Sequence, residues 1–360
     1  MHPRCEPAFC TLHQIAPYIG RLRIGFAREL VVNLSKPGDT IIDPFAGAGT
    51  VALEALCNGR AVIAGDWNAY AGVLTRAKLF APSSVEAADD AIEKTWALSR
   101  RLLSRQDLRR VPSWVRNFFH PTTLKSALAF RDACLEYRDD FLLACLLGIL
   151  HHERPGFLSY PSSHLVPYLR DRKYPRALYP ELYAQRDVKS RVAAKVRRML
   201  QVLPPSLKLR RSVLLKDARR FPKIPRVRAI ITSPPYMNEL DYVRDNRLRL
   251  WFIDKRIPAH LECSSLRKEI AFAELITTVF SRLAPCVVDG GYIALVLGDT
   301  RRGMRRLDTA QIARRAFDTI PQLRKFKLKA KLSTRIPDVR RSRRAHEGTK
   351  QETVLVFQRD

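Results

Sequence analysis

Apolar residues along the chain follow two rhythms. Short segments dominated by aliphatic residues occur at Thr40-Ile41-Ile42, Ala61-Val62-Ile63-Ala64, Ser212-Val213-Leu214-Leu215, Ala229-Ile230-Ile231 and Gly291-Tyr292-Ile293-Ala294-Leu295-Val296-Leu297. Segments of this length, apolar on both faces, predict strands of a buried parallel sheet. Phe326 to Leu332 and Thr353 to Phe357 read as a closing antiparallel pair. A helical period fills the gaps: over 22–34 and just after the first strand, then near the end over 241–254, behind a loop, and over 267–284. From about 84 to 205 the strand pattern stops and helices are predicted over 84–106, 122–137, 139–152 and 186–203. The chain therefore reads as α/β, a doubly wound sheet with an inserted, mainly helical lobe. The expected division is 1–82, 83–206 and 207–360, with no internal repeat.

Two strand ends carry chemistry. The first strand runs into Asp43-Pro44-Phe45-Ala46-Gly47-Ala48-Gly49-Thr50, and Val51 to Leu56 then reads as a helix. Gly47 and Gly49 allow a tight strand-to-helix turn and close approach of a ligand to the backbone. Free N–H groups at the helix start suit a carboxylate, and Asp43 suits an ammonium. The glycine spacing is not that of the dinucleotide fingerprint. Asp66 ends the second strand about twenty residues further on, where an acid binds the hydroxyls of a ribose; a helix N-cap is the bland reading. Trp67 beside it offers a face for an adenine. Asp217, followed by Ala218, ends a later strand and could accept from the adenine amine.

The second string is Thr232-Ser233-Pro234-Pro235-Tyr236. An exocyclic amine on a base is a poor nucleophile, because its lone pair is delocalised into the ring. The Ser233 hydroxyl and the Pro234 carbonyl are acceptors that can hold its N–H groups and aim the lone pair. Pro235 stiffens the loop, and Tyr236 can stack on the base. Such a site works by positioning and electrostatics. Taken alone, the string is also an ordinary Pro-Pro turn.

Composition narrows the partners. The chain has 360 residues, a net charge of +29 and a pI near 10.4. That excess favours a polyanion, nucleic acid before an acidic membrane, although a basic proteome would contribute to it. No apolar stretch approaches a membrane span, and Phe141 to Leu150 reads as a buried helix. The start has no signal-peptide layout, and the seven cysteines lack metal or disulfide spacing, so a reduced cytoplasmic protein without a metal site is expected. His151-His152 diverge on a helix and have no third ligand at a useful spacing. Asn117-Phe118-Phe119-His120-Pro121 and Ser159-Tyr160-Pro161-Ser162-Ser163-His164 suit either nucleic-acid contact or a lobe interface. Arg340, Arg341, Arg343 and Arg344 form a basic tip between the last two strands, either solvated or a phosphate grip.

With these strings in place, the chain resembles the S-adenosylmethionine-dependent amino-methyltransferases of bacterial restriction-modification systems. The resemblance covers the two sheet-bearing parts and leaves the inserted lobe unexplained. It implies a Rossmann-like class I methyltransferase sheet and S-adenosylmethionine as cofactor. Asp43, Phe45, Ala46, Gly47, Gly49 and Thr50 fall in the family's first cofactor motif, and Asp66 and Asp217 at its ribose and adenine contacts. The segment around Tyr18 lies where the family places a further cofactor contact. Ser233, Pro234, Pro235 and Tyr236 fall at its catalytic tetrapeptide. A serine at the head of that tetrapeptide points to cytosine N4; aspartate or asparagine there is commoner for adenine N6. The implied substrate is double-stranded DNA with the target base flipped out, and a cognate restriction nuclease is the implied partner. The alternatives are adenine N6, an amine of structured RNA, a protein glutamine, and a nucleic-acid-binding module with a decayed site.

Overall fold

The computed structural model describes residues 9–152, 156–159, 174–205, 208–235, 246–255, 269–298, 300–302, 305–335 and 351–360. The described helices are α1 (Ile24–Leu34), α2 (Thr50–Cys57), α3 (Ala69–Leu79), α4 (Val85–Leu102), α5 (Ser113–Arg116), α6 (Pro121–Glu136), α7 (Asp140–Ile149), α8 (Val188–Met199), α9 (Arg247–Ile253), α10 (Glu269–Leu283) and α11 (Thr309–Thr319). The strands are β1 (Thr40–Asp43), β2 (Ala61–Asp66), β3 (Arg211–Leu215), β4 (Val227–Thr232), β5 (Val287–Gly298), β6 (Thr300–Arg302), β7 (Arg305–Leu307), β8 (Phe326–Arg335) and β9 (Gln351–Arg359).

Contacts divide the chain into two compact units. One comprises 18–75, 207–244 and 260–360; the other comprises 1–17, 76–206 and 245–259. The first unit holds a seven-stranded sheet in the order β3-β2-β1-β4-β5-β9-β8. β1 to β5 pair in parallel, and β9 runs antiparallel to both β5 and β8. This is a Rossmann-like sheet with a reversed strand near one edge. The strand order turns back between β1 and β4, so the loops leaving those two strands open on the crevice where such sheets bind ligands. The aliphatic runs explain the parallel strands: Ile41, Ile42, Val62, Ala64, Ala229, Ile230 and Ile231 are buried. Phe272, Ile276, Phe280 and Phe317 pack with Ile42, Ile63, Ile230, Leu295 and Phe357 in one apolar cluster. Phe317 stacks on Phe357 at 4.6 Å between ring centroids.

The second unit is helical among its described residues. Asp139 caps α7 by accepting from the Leu142 N–H at 2.8 Å, and Ser84 and Asp187 cap α4 and α8 in the same way. Every residue of α7 from Phe141 to Ile149 is buried, which accounts for its unbroken apolar sequence. Gly148 has a packing reason: a Cβ there would meet the Ile15 carbonyl oxygen at 2.1 Å. The buried Lys195 ammonium donates to the Gln14 carbonyl at 2.6 Å, tying the N-terminal segment to α8. Arg131 donates to the last carbonyls of α9, Phe252 at 2.5 Å and Ile253 at 3.1 Å. Phe118 and Phe119 are buried, with Phe119 against Phe252 at 6.0 Å inside the same unit, so they serve the interior of that unit, a use the sequence reading of nucleic-acid contact or lobe interface did not include. His120 caps α6 through Nδ1. Residues 160–164 lie outside the described residues.

Several elements are not legible in the pattern. α11 presents Ala310, Ala313, Ala316 and Phe317 to the core. A stripe made mostly of alanine carries little hydropathy signal, though Asp308, which accepts from the Gln311 N–H at 2.9 Å, marks its start. α3 and the hairpin of β6 and β7 also escape the pattern, and β5 extends from Val287, four residues earlier than its apolar stretch suggests. β3 ends at Leu215, before Asp217. Among the described residues no helix is long and apolar enough to cross a membrane, and no cluster of His, Cys, Asp or Glu is placed to hold a metal ion. Cys134, Cys145 and Cys286 are free thiols.

Candidate active site

The glycine loop leaves β1 and folds back across β2. The Ala46 N–H donates to the Gly65 carbonyl at 2.9 Å, and the Gly47 N–H donates to Asp66 Oδ2 at 2.9 Å. The Gly49 N–H closes the turn onto the Ala46 carbonyl at 2.7 Å, and α2 begins at Thr50. Both glycines are required by conformation, with φ of +50° at Gly47 and +69° at Gly49. Space is tight at Gly47 and closed at Gly49. A Cβ at Gly47 would lie 3.3 Å from the Tyr18 ring, and one at Gly49 would lie 2.8 Å from Thr75 Oγ1. Tyr18 therefore covers the loop, with its ring 5.9 Å from that of Tyr70. Ala46 and Thr50 are buried, and Phe45 packs against the sheet core.

Asp43 is 2 % exposed at the end of β1. Its Oδ1 accepts from the Thr232 hydroxyl at 2.6 Å and from the Phe45 N–H at 3.2 Å. Burial raises its pKa to about 7 against those two bonds, and the charge of Asp66 adds to the rise. Asp66 ends β2, and its two oxygens take the N–H groups of Gly47 and Asn68 at 2.9 Å each. Burial raises its pKa to about 6, opposed by those backbone bonds. A carboxylate offers about four lone-pair sites, so Asp66 can take the backbone N–H groups of Gly47, Trp67 and Asn68 and still accept from a ligand hydroxyl. The Asn68 side chain accepts from the Tyr70 N–H at 2.9 Å and starts α3; the sequence alone gave no signal for it. Trp67 is 59 % exposed beside Asp66.

Asp217 enters differently from its sequence reading. It lies past the end of β3, caps a short 3-10 turn, and is bound by the Arg219 guanidinium at 2.5 Å. That partner holds its carboxyl below the usual range. Ala218 is buried in the sheet core. Thr232 is fully buried at the end of β4, and Ser233, Pro234 and Pro235 follow it without regular structure, Pro234 buried. Tyr236 and the basic tip of Arg340, Arg341, Arg343 and Arg344 lie outside the described residues.

The donor set fits the cofactor. Two acids at adjacent strand ends, Asp43 buried and Asp66 part-buried, both desolvated and both neighbours of a glycine turn, are matched by a ligand that brings an ammonium and a pair of hydroxyls. S-adenosylmethionine carries both.

A family model described as DNA methylase, of the N6/N4 type, matches residues 24–72, which span α1 to the start of α3 and contain the glycine loop and Asp66. Comparison of the sequence with curated proteins gave no match. Among solved structures, TrmN from Thermus thermophilus is similar at 14 % identity and TM-score 0.40, over 97 % of this chain and 52 % of that one. An rRNA methylase described as putative from Clostridium thermocellum matches at 10 % identity and TM-score 0.38, over 94 % and 98 %. The rRNA methyltransferase AviRa from Streptomyces viridochromogenes matches at 12 % identity and TM-score 0.35, over 98 % and 90 %. The strand order is that of a class I methyltransferase fold, and the glycine loop with its two acids lies inside the matched segment. That segment is similar to DNA methylases of the N6/N4 type.

Proposed function

We propose that this methyltransferase acts on an exocyclic amine of a DNA base, cytosine N4 in particular. One observation carries the reading. β1 and β4 are adjacent parallel strands, with Ile42 paired to Ile230, so the cofactor loop and the Ser-Pro-Pro loop leave the sheet side by side and are joined by the Asp43–Thr232 hydrogen bond.

Asp43 would hold the cofactor's ammonium, and the N–H groups at the start of α2 would meet its carboxylate. Asp66 would hold the ribose hydroxyls, with Trp67 beside the adenine. Asp217 would reach the adenine amine only by sharing its carboxylate with Arg219. Bound there, S-adenosylmethionine supplies an electrophilic methyl group on a sulfonium sulfur. Ser233 and the Pro234 carbonyl would accept the N–H groups of the target amine and direct its lone pair at that methyl group. Tyr236 would stack on the base. The serine at position 233 favours cytosine over adenine.

The helical unit adds support for a polyanionic partner. Arg100, Arg101, Arg105, Arg109, Arg110 and Arg116 are all exposed along one short stretch whose only acid is Asp107. The test is methyl transfer by purified protein to duplex DNA, with structured RNA as a parallel substrate. Tyr236→Ala should cut transfer about tenfold to a hundredfold, the value of stacking one base, and leave cofactor affinity intact. Full activity in that variant would remove the tetrapeptide from the mechanism.

A further inference from the structure

We propose that Thr232 is a positioning residue: its hydroxyl favours the charged form of the Asp43 carboxylate, aims it for the cofactor's ammonium, and ties the catalytic loop to the cofactor loop through one hydrogen bond. The proposal rests on the reading of Asp43 as the ammonium acceptor. Three observations lead to it. First, the bond is short and isolated from solvent, 2.6 Å between a side chain that is fully buried and one that is 2 % exposed. Second, both bonds made to Asp43 among the described residues go to Oδ1, from Thr232 and from the Phe45 N–H, so Oδ2 is the oxygen left to face a ligand. Third, Thr232 is the last residue of β4, and the next three residues are Ser233, Pro234 and Pro235. Its backbone aims one loop while its side chain fixes the acid of the other.

A buried threonine at a strand end has a plain structural use, since a β-branched side chain packs well there. Packing alone would be served equally by valine. The hydroxyl differs from valine's methyl in one respect that matters here: its partner is an acid already pushed to a pKa of about 7 by burial and by Asp66, with Thr232 the strongest influence in the opposite direction. Asp66, at the end of β2, is the charged group whose field reaches Asp43 among the described residues. Without the hydroxyl, Asp43 would be driven further toward its neutral form and would hold an ammonium more weakly at neutral pH.

The test is Thr232→Val, which keeps shape and removes the donor, with Thr232→Ser restoring it. Two measurements are made on the full chain. One is the titration of the Asp43 carboxyl carbon by NMR in aspartate-labelled protein without cofactor. The other is the dissociation constant of S-adenosylmethionine between pH 5.5 and 8.5, with 5′-methylthioadenosine, which lacks the amino-acid moiety, as a control ligand. A hydrogen bond to a charged group is worth enough to move the midpoint by about one to two pH units. The valine variant should show that upward shift, and its S-adenosylmethionine affinity should fall about tenfold or more at pH 7. The control ligand should bind both proteins alike, and the serine variant should match the wild type. An unmoved Asp43 midpoint overturns the proposal and leaves the cofactor reading standing. A moved midpoint with unchanged S-adenosylmethionine affinity removes Asp43 as the ammonium acceptor, and the proposal falls with it.

Discussion

Replacing Asp43 with asparagine should make the cofactor-free protein more stable and unable to bind its cofactor. The asparagine side chain keeps an oxygen to accept from Thr232 and from the Phe45 N–H, and the change removes a buried charge. The carboxyl moves from an ordinary 3.8 in the unfolded chain to about 7 in the fold. An acid shifted upward stabilises the fold fully below its unfolded pKa, and that contribution is lost as pH rises through the folded value. At about 1.4 kcal/mol per pH unit, the wild type has lost about 2 kcal/mol by pH 5 and about 4 kcal/mol by pH 8. The asparagine variant does not titrate, so its advantage should be near zero below pH 4 and grow to that plateau. For a chain of this size the plateau corresponds to a rise in Tm of about 5 °C. Scanning calorimetry at pH 5 and pH 8, with and without saturating S-adenosylmethionine, reads both effects. The wild type should be stabilised by the cofactor through mass action, and the variant should not. A variant less stable than the wild type at pH 8, or one whose advantage does not grow with pH, would refute the reasoning.

Other outcomes follow from the same geometry. Gly49→Ala forces a β-carbon to φ +69° and to 2.8 Å from Thr75 Oγ1, so stability should fall by about 1 to 3 kcal/mol and cofactor affinity with it, measured by denaturation and calorimetry. Asp66→Ala removes both the proposed ribose acceptor and the partner of the Gly47 N–H; cofactor affinity should weaken by about tenfold to a hundredfold in calorimetry. Replacing Arg340, Arg341, Arg343 and Arg344 with alanine should flatten the salt dependence of nucleic-acid binding by up to about one per lost phosphate contact, equally for all sequences. An unaltered slope would show the tip to be solvated.

The sheet was legible because its strands are buried on both faces, so their aliphatic runs stand out from any helical period. The site was legible for a related reason. Its loops begin where those runs end, and Gly47, Gly49 and the Ser-Pro-Pro string are residue types that few other environments demand. α7 was equally plain, since a helix buried all round has no polar face to confuse the reading. α11 was hidden by its alanines, whose burial depends on the tight approach of a neighbour and leaves little trace in hydropathy. Phe118 and Phe119 read in sequence as nucleic-acid contacts or a lobe interface, because exposed aromatics suit both; they are buried inside one unit instead, which a short aromatic string does not reveal. Asp217 reads in sequence as a strand-end acceptor, but β3 stops two residues earlier, and the neighbouring Arg219 captures the carboxylate. The role of Thr232 was invisible for a different reason. It depends on β1 and β4 being neighbours, and strand order is a long-range property that no local string encodes.

The identity of the methyl acceptor is the central question, and one assay reads it directly. Purified protein is incubated with methyl-labelled S-adenosylmethionine and unmethylated duplex DNA, with structured RNA in a parallel reaction, and the products are digested to nucleosides for mass spectrometry. Label is expected in N4-methyldeoxycytidine from the DNA, and it should be lost in Tyr236→Ala. Label confined to the RNA nucleosides, or no label in either nucleic acid, would contradict the proposed function.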